Sequence, residues 1–251
     1  MTIAEKITRA KADLDEVYEA GKQAGGGGGN TEEAFEEGKE AGKQEAYDEL
    51  WDSLQTNGTK TDYYRAFGAT WDDNSFKPKY SMTPANANGM FSGTKITDLQ
   101  ALLDECGVTL DFSKVTYQRL TQWLEESSVT RVGTVDLTSL TNATYVFYAA
   151  RQLVTIEKII FAETNVFANS WFNLCSKLTN INAVEGTIAG NGFNVSYCSL
   201  LTHDSLVRII NALKDYSGSG TTCKITFGAT NIAKLTEEEI AIANNKGWDI
   251  V

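Results

Sequence analysis

The sequence is short of the residues that metal and redox chemistry needs. Its 251 residues hold four cysteines, Cys106, Cys175, Cys198 and Cys223, and a single histidine, His203. No two cysteines form a C-x-x-C pair, which excludes a zinc site of the usual spacing. Proline is equally scarce, with only Pro78 and Pro84. No apolar run approaches the ~20 residues that a membrane-spanning helix needs. The opening MTIAEKITRAKADLDEV contains no apolar segment of the kind a secretory signal carries. The chain is therefore expected either to stay in the cytoplasm or to leave the cell by another route, such as release in an assembled particle. Basic charge is also in deficit. Twenty-two Lys and Arg against 33 Asp and Glu give a formal net charge of -11, which argues against wrapping nucleic acid phosphates or docking on anionic lipid.

What is present is a period. Between about Trp123 and Leu201 the chain repeats aromatic-x-x-small-x-x-aliphatic-x-x-aliphatic. The first position is Trp123, Phe147, Phe172 and Val195, at steps of 24, 25 and 23 residues. The second is Glu126, Ala150, Cys175 and Cys198; the third is Val129, Leu153, Leu178 and Leu201; the fourth is Val132, Ile156 and Ile181. A fixed period in this range is the signature of stacked repeats, each of which buries its apolar side only against its neighbours. The expected repeat core is Phe147, Leu153, Ile156, Phe172, Leu178 and Ile181. Glu126 departs from a column otherwise filled by Ala and Cys. Cys175 and Cys198, in that same column, read as small buried residues in adjacent repeats.

Around this block the chain divides into six stretches. Residues 1–24 read as an amphipathic helix, capped by Thr2 with Glu5 and carrying a heptad seam through Ile3, Ile7, Ala10, Leu14 and Val17. Residues 25–30 are a linker opened by five glycines. Residues 31–54 read as a second helix, with Gly38, Gly42 and Ala46 at four-residue spacing. Two glycines inside a helix cost ~1 kcal/mol each, a cost offset if a partner helix packs closely there. Residues 55–86, rich in aromatics, are expected to cover the first repeat, and residues 87–201 to form the repeats. Within them, Val108–Val115 matches Gly133–Leu140 at a separation of 25 and is expected to be its equivalent strand. Residues 202–251 are expected to close the stack as helix, strand, helix, strand, with Thr202 and Thr236 as helix caps. The seam residues Ile3, Ile7, Leu14 and Val17, with Gly38 and Gly42, are the candidate oligomerisation positions. β-Branched residues at both seam positions make a trimer plausible.

Catalytic groupings are weak. Thr202-His203-Asp204-Ser205 contains the members of a serine triad, but triad members normally converge from separate elements. Here they are consecutive at a helix start, where Thr, Asp and Ser serve as caps. Asp111 and Asp136 fall at equivalent positions and point outward by alternation. Ile160 interrupts the column they would need to form a calcium ladder. The glycine run lacks the Lys-Ser/Thr of a phosphate loop. No catalytic, cofactor-binding or metal-binding residue is assigned. Tyr145 and Tyr148 flank Phe147, and Trp171 precedes Phe172; these aromatics either pack under neighbouring turns or reach the surface as a binding patch for glycan or protein.

The repeat, best kept in Phe172-x-x-Cys175-x-x-Leu178-x-x-Ile181, resembles the BspA-like leucine-rich repeat. The opening MTIAEKITRAKADLDEVYEAGKQA, the stretch through Tyr47 and Trp51, and the closing Gly228-Ala-Thr-Asn…Asn245-Lys246-Gly247-Trp248 resemble minor structural or tail-associated proteins of phages infecting gut Firmicutes. The resemblance implies an α/β repeat fold: a short leucine-rich-repeat solenoid with an α/β C-terminal cap and an N-terminal helical, coiled-coil-like stalk. It implies a non-catalytic virion protein without cofactors, attached through its N-terminal helices to other virion proteins. Its partners would include further copies of itself and a host surface protein or glycan. The alternative is a bacterial surface adhesin of the same repeat class, located at the cell surface.

Overall fold

β-Branched and other apolar residues at Val132, Val135 and Leu137, then at Ile156, Ile159 and Phe161, give two stretches suited to extended chain. The computed structural model describes Ala12 and residues 62–68, 77–116, 119–140, 142–162, 166–167 and 171–251. The candidate oligomerisation positions Ile3, Ile7, Leu14, Val17, Gly38 and Gly42, and both N-terminal helix expectations, lie outside the described residues apart from Ala12. The aliphatic stretches form β1 (Arg131–Leu137) and β3 (Thr155–Phe161), and β5 (Asn180–Ala183) joins them in a parallel sheet of order β1-β3-β5. Val132 pairs with Ile156, which pairs with Ile181, so each strand meets another 24 or 25 residues along the chain. A short parallel pair, β2 (Asn142–Ala143) with β4 (Val166–Phe167), keeps the same 24-residue step. Parallel neighbours need a long return connection, and the rest of each period supplies it.

The return passes through turns that stack on one another. Each is closed by a backbone N–H donating three residues back: Thr94 to Phe91, Ser127 to Leu124, Ala150 to Phe147, Cys175 to Phe172 and Cys198 to Val195. Successive turns are tied by further backbone bonds, such as Phe147 N–H to Trp171 O at 3.0 Å and Ala149 N–H to Asn173 O at 2.9 Å. Phe67, Phe91, Trp123, Phe147 and Phe172 form a continuous run of ring contacts at centroid distances of 5.3, 6.2, 6.0 and 5.3 Å. The last pair lies nearly parallel, at 7°. Phe147, Leu153, Ile156, Phe172, Leu178 and Ile181 are all fully buried.

In one repeat the local turn conformation runs one residue out of step with the sequence columns, although Trp123 keeps its place in the ring run between Phe91 and Phe147. Local conformation aligns Leu124 and Ser127, rather than Trp123 and Glu126, with Phe147 and Ala150. Left-handed residues recur at Gln122 and Glu126, then at Tyr145 and Ala149. Downstream, Thr130 O accepts from Val154 and Thr155 just as Val154 O accepts from Thr179 and Asn180. The turn after Ser127 is therefore one residue shorter than the turn after Ala150. The column of Ala and Cys is continued by Ser127, which is buried, while Glu126 is exposed and pairs with Arg151 at 2.8 Å. The shortened turn also holds two buried atoms, Trp123 Nε1 and Ser127 Oγ, without hydrogen-bond partners among the described residues.

Stacking also begins earlier than residue 87. Tyr63, Arg65 and Phe67 N–H donate to Asn86, Asn88 and Met90 O, so residues 62–68 are layered on the next turn at the same spacing. The match between Val108–Val115 and Gly133–Leu140 reflects shared turn conformation rather than a shared strand. Asp111 and Asp136 each accept the N–H and hydroxyl of the residue two ahead, Ser113 and Thr138. Leu110 bridges to Met82, and beside β1 lies a helix, α1 (Leu99–Glu105), capped by Asp98. Gly133 accommodates it, because a Cβ there would collide with the Gln100 side-chain amide.

The closing segment begins with α2 (His203–Ala212), whose Thr202 cap accepts from Ser205 N–H at 3.2 Å. Then come β6 (Cys223–Ile225), a short α3 (Ala229–Ile232), α4 (Glu237–Asn245) and β7 (Trp248–Ile250), with β6 and β7 parallel. Thr236 and Glu239 form a reciprocal capping box on α4. Short α3 interrupts the expected strand-to-helix passage.

Candidate binding surface

Two outward faces carry the described polar and aromatic groups. On the sheet, strand alternation turns Arg131, Glu157 and Asn182 away from the buried Val132, Ile156 and Ile181. Arg131 reaches across three layers. Its Nη1 lies 3.1 Å from Asp98 Oδ2, and its Nε donates to Glu157 Oε1 at 2.8 Å. Those hydrogen bonds, Glu157 first and Asp98 second, hold the guanidinium pKa above its ordinary value. Asn182 Nδ2 donates to Glu157 O at 2.8 Å. One part-exposed guanidinium thus serves two part-exposed carboxylates, an arrangement that contributes little to stability.

The turn side is different. Tyr145 is 42% exposed and meets Tyr148 edge-on, with ring centroids 5.2 Å apart. Tyr197 and Leu200 are exposed two turns further on, and Tyr64 lies near the other end with the Arg65 guanidinium 5.7 Å from its ring centre. Trp171 takes the opposite course: it is buried and contacts Phe161. The two adjacent aromatics singled out in the sequence thus separate, Tyr145 outward and Trp171 inward. Sequence reading missed Gln122 and Glu125, which share in the preceding turn the local backbone conformation of Tyr145 and Tyr148. Their signal, the shared i to i+3 spacing, was hidden by the one-residue shift at Trp123.

The triad residues do not converge. Ser205 is buried, with its hydroxyl accepting from Ile181 N–H at 2.9 Å and donating to Ile181 O at 3.3 Å. His203 Nε2 contacts Glu239 Oε1 at 2.9 Å instead. Among the described residues, no group of three His, Cys, Asp or Glu is placed to hold a metal ion, and no helix is long and apolar enough to cross a membrane. Cys175 and Cys198 are buried free thiols; Cys175 Sγ donates to Phe147 O at 2.9 Å. Burial pushes the Cys175 thiol up to about 12 and raises that of Cys198 as well, which suppresses the reactive thiolate.

The closing motifs also have a local explanation. Asn231, fully buried, donates Nδ2 toward Val195, Cys198 and Phe227 carbonyls at 3.1–3.3 Å. Lys234 Nζ donates to Ser199 and Leu201 carbonyls at 2.8 and 2.7 Å. Lys246 Nζ donates to Asn211 O at 2.8 Å at the end of α2, and Trp248 Nε1 donates to Lys214 O at 2.8 Å. Gly228 has φ 76°, and a Cβ there would meet Ser196 Cβ at 2.9 Å. These residues satisfy carbonyls at the last turn and at the α2 terminus. No family model matches the chain, and neither the curated proteins nor the solved structures yield a match.

Proposed function

We propose that this chain is a non-catalytic phage virion structural protein. Its N-terminal helices attach it to other virion proteins and assemble copies of it, and the β-branched seam residues are compatible with a trimer. Its repeats form a leucine-rich-repeat solenoid that displays a surface toward a host protein or glycan. The observation that carries the solenoid reading is the parallel step of 24 or 25 residues from β1 to β3 to β5, with Phe147 and Phe172 stacked beneath it. The exposed tyrosines on the turns support display over chemistry. The virion assignment is supported by the resemblance of both chain ends to phage structural proteins.

The test is mass spectrometry and antibody labelling of purified particles from an induced host strain. The protein is expected at stoichiometric level on the particle. Its absence from particles, with recovery in the host cell-surface fraction instead, would replace this reading with the bacterial adhesin of the same repeat class. Light scattering of Ile7→Asp and Leu14→Asp tests the assembly role, and an unchanged assembly state sinks it.

A further inference from the structure

We propose that the Asn191-Gly192 step is a spontaneous modification site, at which the folded protein converts its own asparagine side chain, through a succinimide, to aspartate and isoaspartate.

Asparagine is followed by glycine at residues 57, 88 and 191. Glycine there leaves the main-chain nitrogen unshielded by a side chain. Asn57 lies outside the described residues; the other two pairs have opposite surroundings. Gly89 is buried and its N–H donates to Thr121 O at 2.9 Å. Asn88 Oδ1 accepts from Thr121 N–H at 2.8 Å and from its hydroxyl at 2.9 Å. Asn191, by contrast, is exposed, and the Gly192 N–H has no hydrogen-bond partner among the described residues. The nitrogen that must attack is engaged in the first pair and available in the second.

The reaction joins Gly192 N to Asn191 Cγ. The Gly192 amide proton passes to solvent hydroxide, the Cγ–Nδ2 bond breaks, and the side-chain amide leaves as ammonia after taking a proton from water. Water then opens the succinimide ring at Cγ, giving aspartate, or at the Asn191 main-chain carbonyl carbon, giving isoaspartate. In sum an amide and water become a carboxylate and ammonium, with no change of oxidation state. The fold assists at one atom. Lys224 N–H donates to Asn191 Oδ1 at 2.7 Å. Negative charge develops on that oxygen as the nitrogen attacks, and it is stabilised by a donor already in place.

The site lies where the repeats meet the closing segment. Thr226 N–H donates to Phe193 O at 2.9 Å, and Val195 N–H donates to Thr226 O at 2.8 Å. The Lys224 bond extends this ladder by one step through a side chain. Aspartate keeps that acceptor and leaves the chain length unchanged. Isoaspartate instead routes the main chain through Cβ and Cγ, which lengthens it by one methylene just ahead of Phe193 and displaces the ladder's register. The two products therefore differ in their effect on the junction.

This chemistry is independent of what the repeats display. The experiment is incubation of the full 251-residue protein in mildly alkaline buffer, folded and, in parallel, unfolded in guanidinium chloride. Proteolysis at acid pH and peptide mass mapping then follow each asparagine, with enzymatic methylation to mark isoaspartate. In the folded protein Asn191 is expected to convert at least as fast as in the unfolded chain. It is expected to outpace Asn88 by about tenfold or more, because Gly89 must first give up its hydrogen bond. Asn191→Gln keeps an amide but needs a larger ring, so it is expected to lose the reaction. It is preferred to Gly192→Ala, since Gly192 holds φ 100°, which strains any other residue. The isoaspartyl fraction, separated chromatographically, is expected to melt at a lower temperature than Asn191→Asp. The proposal is overturned if Asn191 converts more slowly folded than unfolded, or no faster than Asn88 in the folded protein. An isoaspartyl fraction as stable as Asn191→Asp overturns the displaced register at the junction.

Discussion

The two edges of the β1-β3-β5 sheet meet the same difficulty and answer it differently. An edge strand leaves backbone N–H and C=O groups open to pairing with another chain. At the β1 side, Asp98 bridges to Arg131 and α1 follows alongside, fitted by the missing side chain of Gly133. At the β5 side, one hydroxyl stands in for a strand: Ser205 of α2 both donates to and accepts from the Ile181 backbone. The first solution depends on removing a side chain to admit a helix. The second depends on placing a single polar atom at bonding distance, so it should be less tolerant of change.

The comparison can be broken most severely from beneath. Phe172→Ala removes the ring stacked on Phe147 and fully buried under the sheet. It is expected to cost about 3–5 kcal/mol in urea unfolding, more than any change at either edge. Ser205→Ala leaves the Ile181 N–H buried and unpaired, with an expected cost of about 1–3 kcal/mol. A neutral Ser205→Ala would sink the idea that the hydroxyl closes the sheet.

Gly133→Ala tests the other edge. The colliding atoms belong to the flexible Gln100 side chain, so the cost is expected to be about 1 kcal/mol, largely recovered in Gly133→Ala with Gln100→Ala. A loss larger than that of Ser205→Ala would reverse the ranking of the two edges.

Acid titration gives a smaller effect near the β5 edge. The Thr236 N–H is the main cause holding the Glu239 carboxyl below its ordinary value, with His203 adding to it. A depressed folded pKa means this contribution is fully present above the ordinary glutamate pKa of roughly 4.3. It is lost as pH falls through the lower, folded value. Glu239→Gln is expected to flatten stability against pH in that acidic window, while an unchanged slope would show that the carboxylate contributes nothing there. The last measurement leaves stability untouched. Alkylation of the native protein is expected to label the partly exposed Cys106 well before the buried Cys175 and Cys198; early labelling of Cys175 would show that the stacked turns open readily.

Much of the repeat region was legible because burial imposes a period. Phe147, Leu153 and Ile156 recur as Phe172, Leu178 and Ile181 because equivalent places in successive layers face the same interior. The Thr202 and Thr236 caps were legible for a more local reason, since each acts within three residues of itself. The candidate surface was only half visible. Tyr145 and Tyr148 stand out as aromatics, but Gln122 and Glu125 become their counterparts only once the shortened turn is seen. A one-residue deletion inside a degenerate motif leaves the neighbouring columns almost intact, so Trp123 keeps its place in the ring run between Phe91 and Phe147 while the turn conformation around it runs one residue out of step.

The closing motifs carry a related lesson. Asn231, Lys234, Lys246 and Trp248 belong to the closing motifs, and each has a structural task in satisfying backbone carbonyls. What the sequence alone determined is what repeats or acts locally: the 24–25-residue step, the identity of the buried columns and the helix caps. Only the tertiary structure decided how the array is closed, which helix replaces a strand beside β1, and which tyrosine faces outward. Those outcomes depend on contacts between residues 24 to 36 positions apart, where a hydrogen bond is formed by three-dimensional placement and leaves no pattern in neighbouring residues.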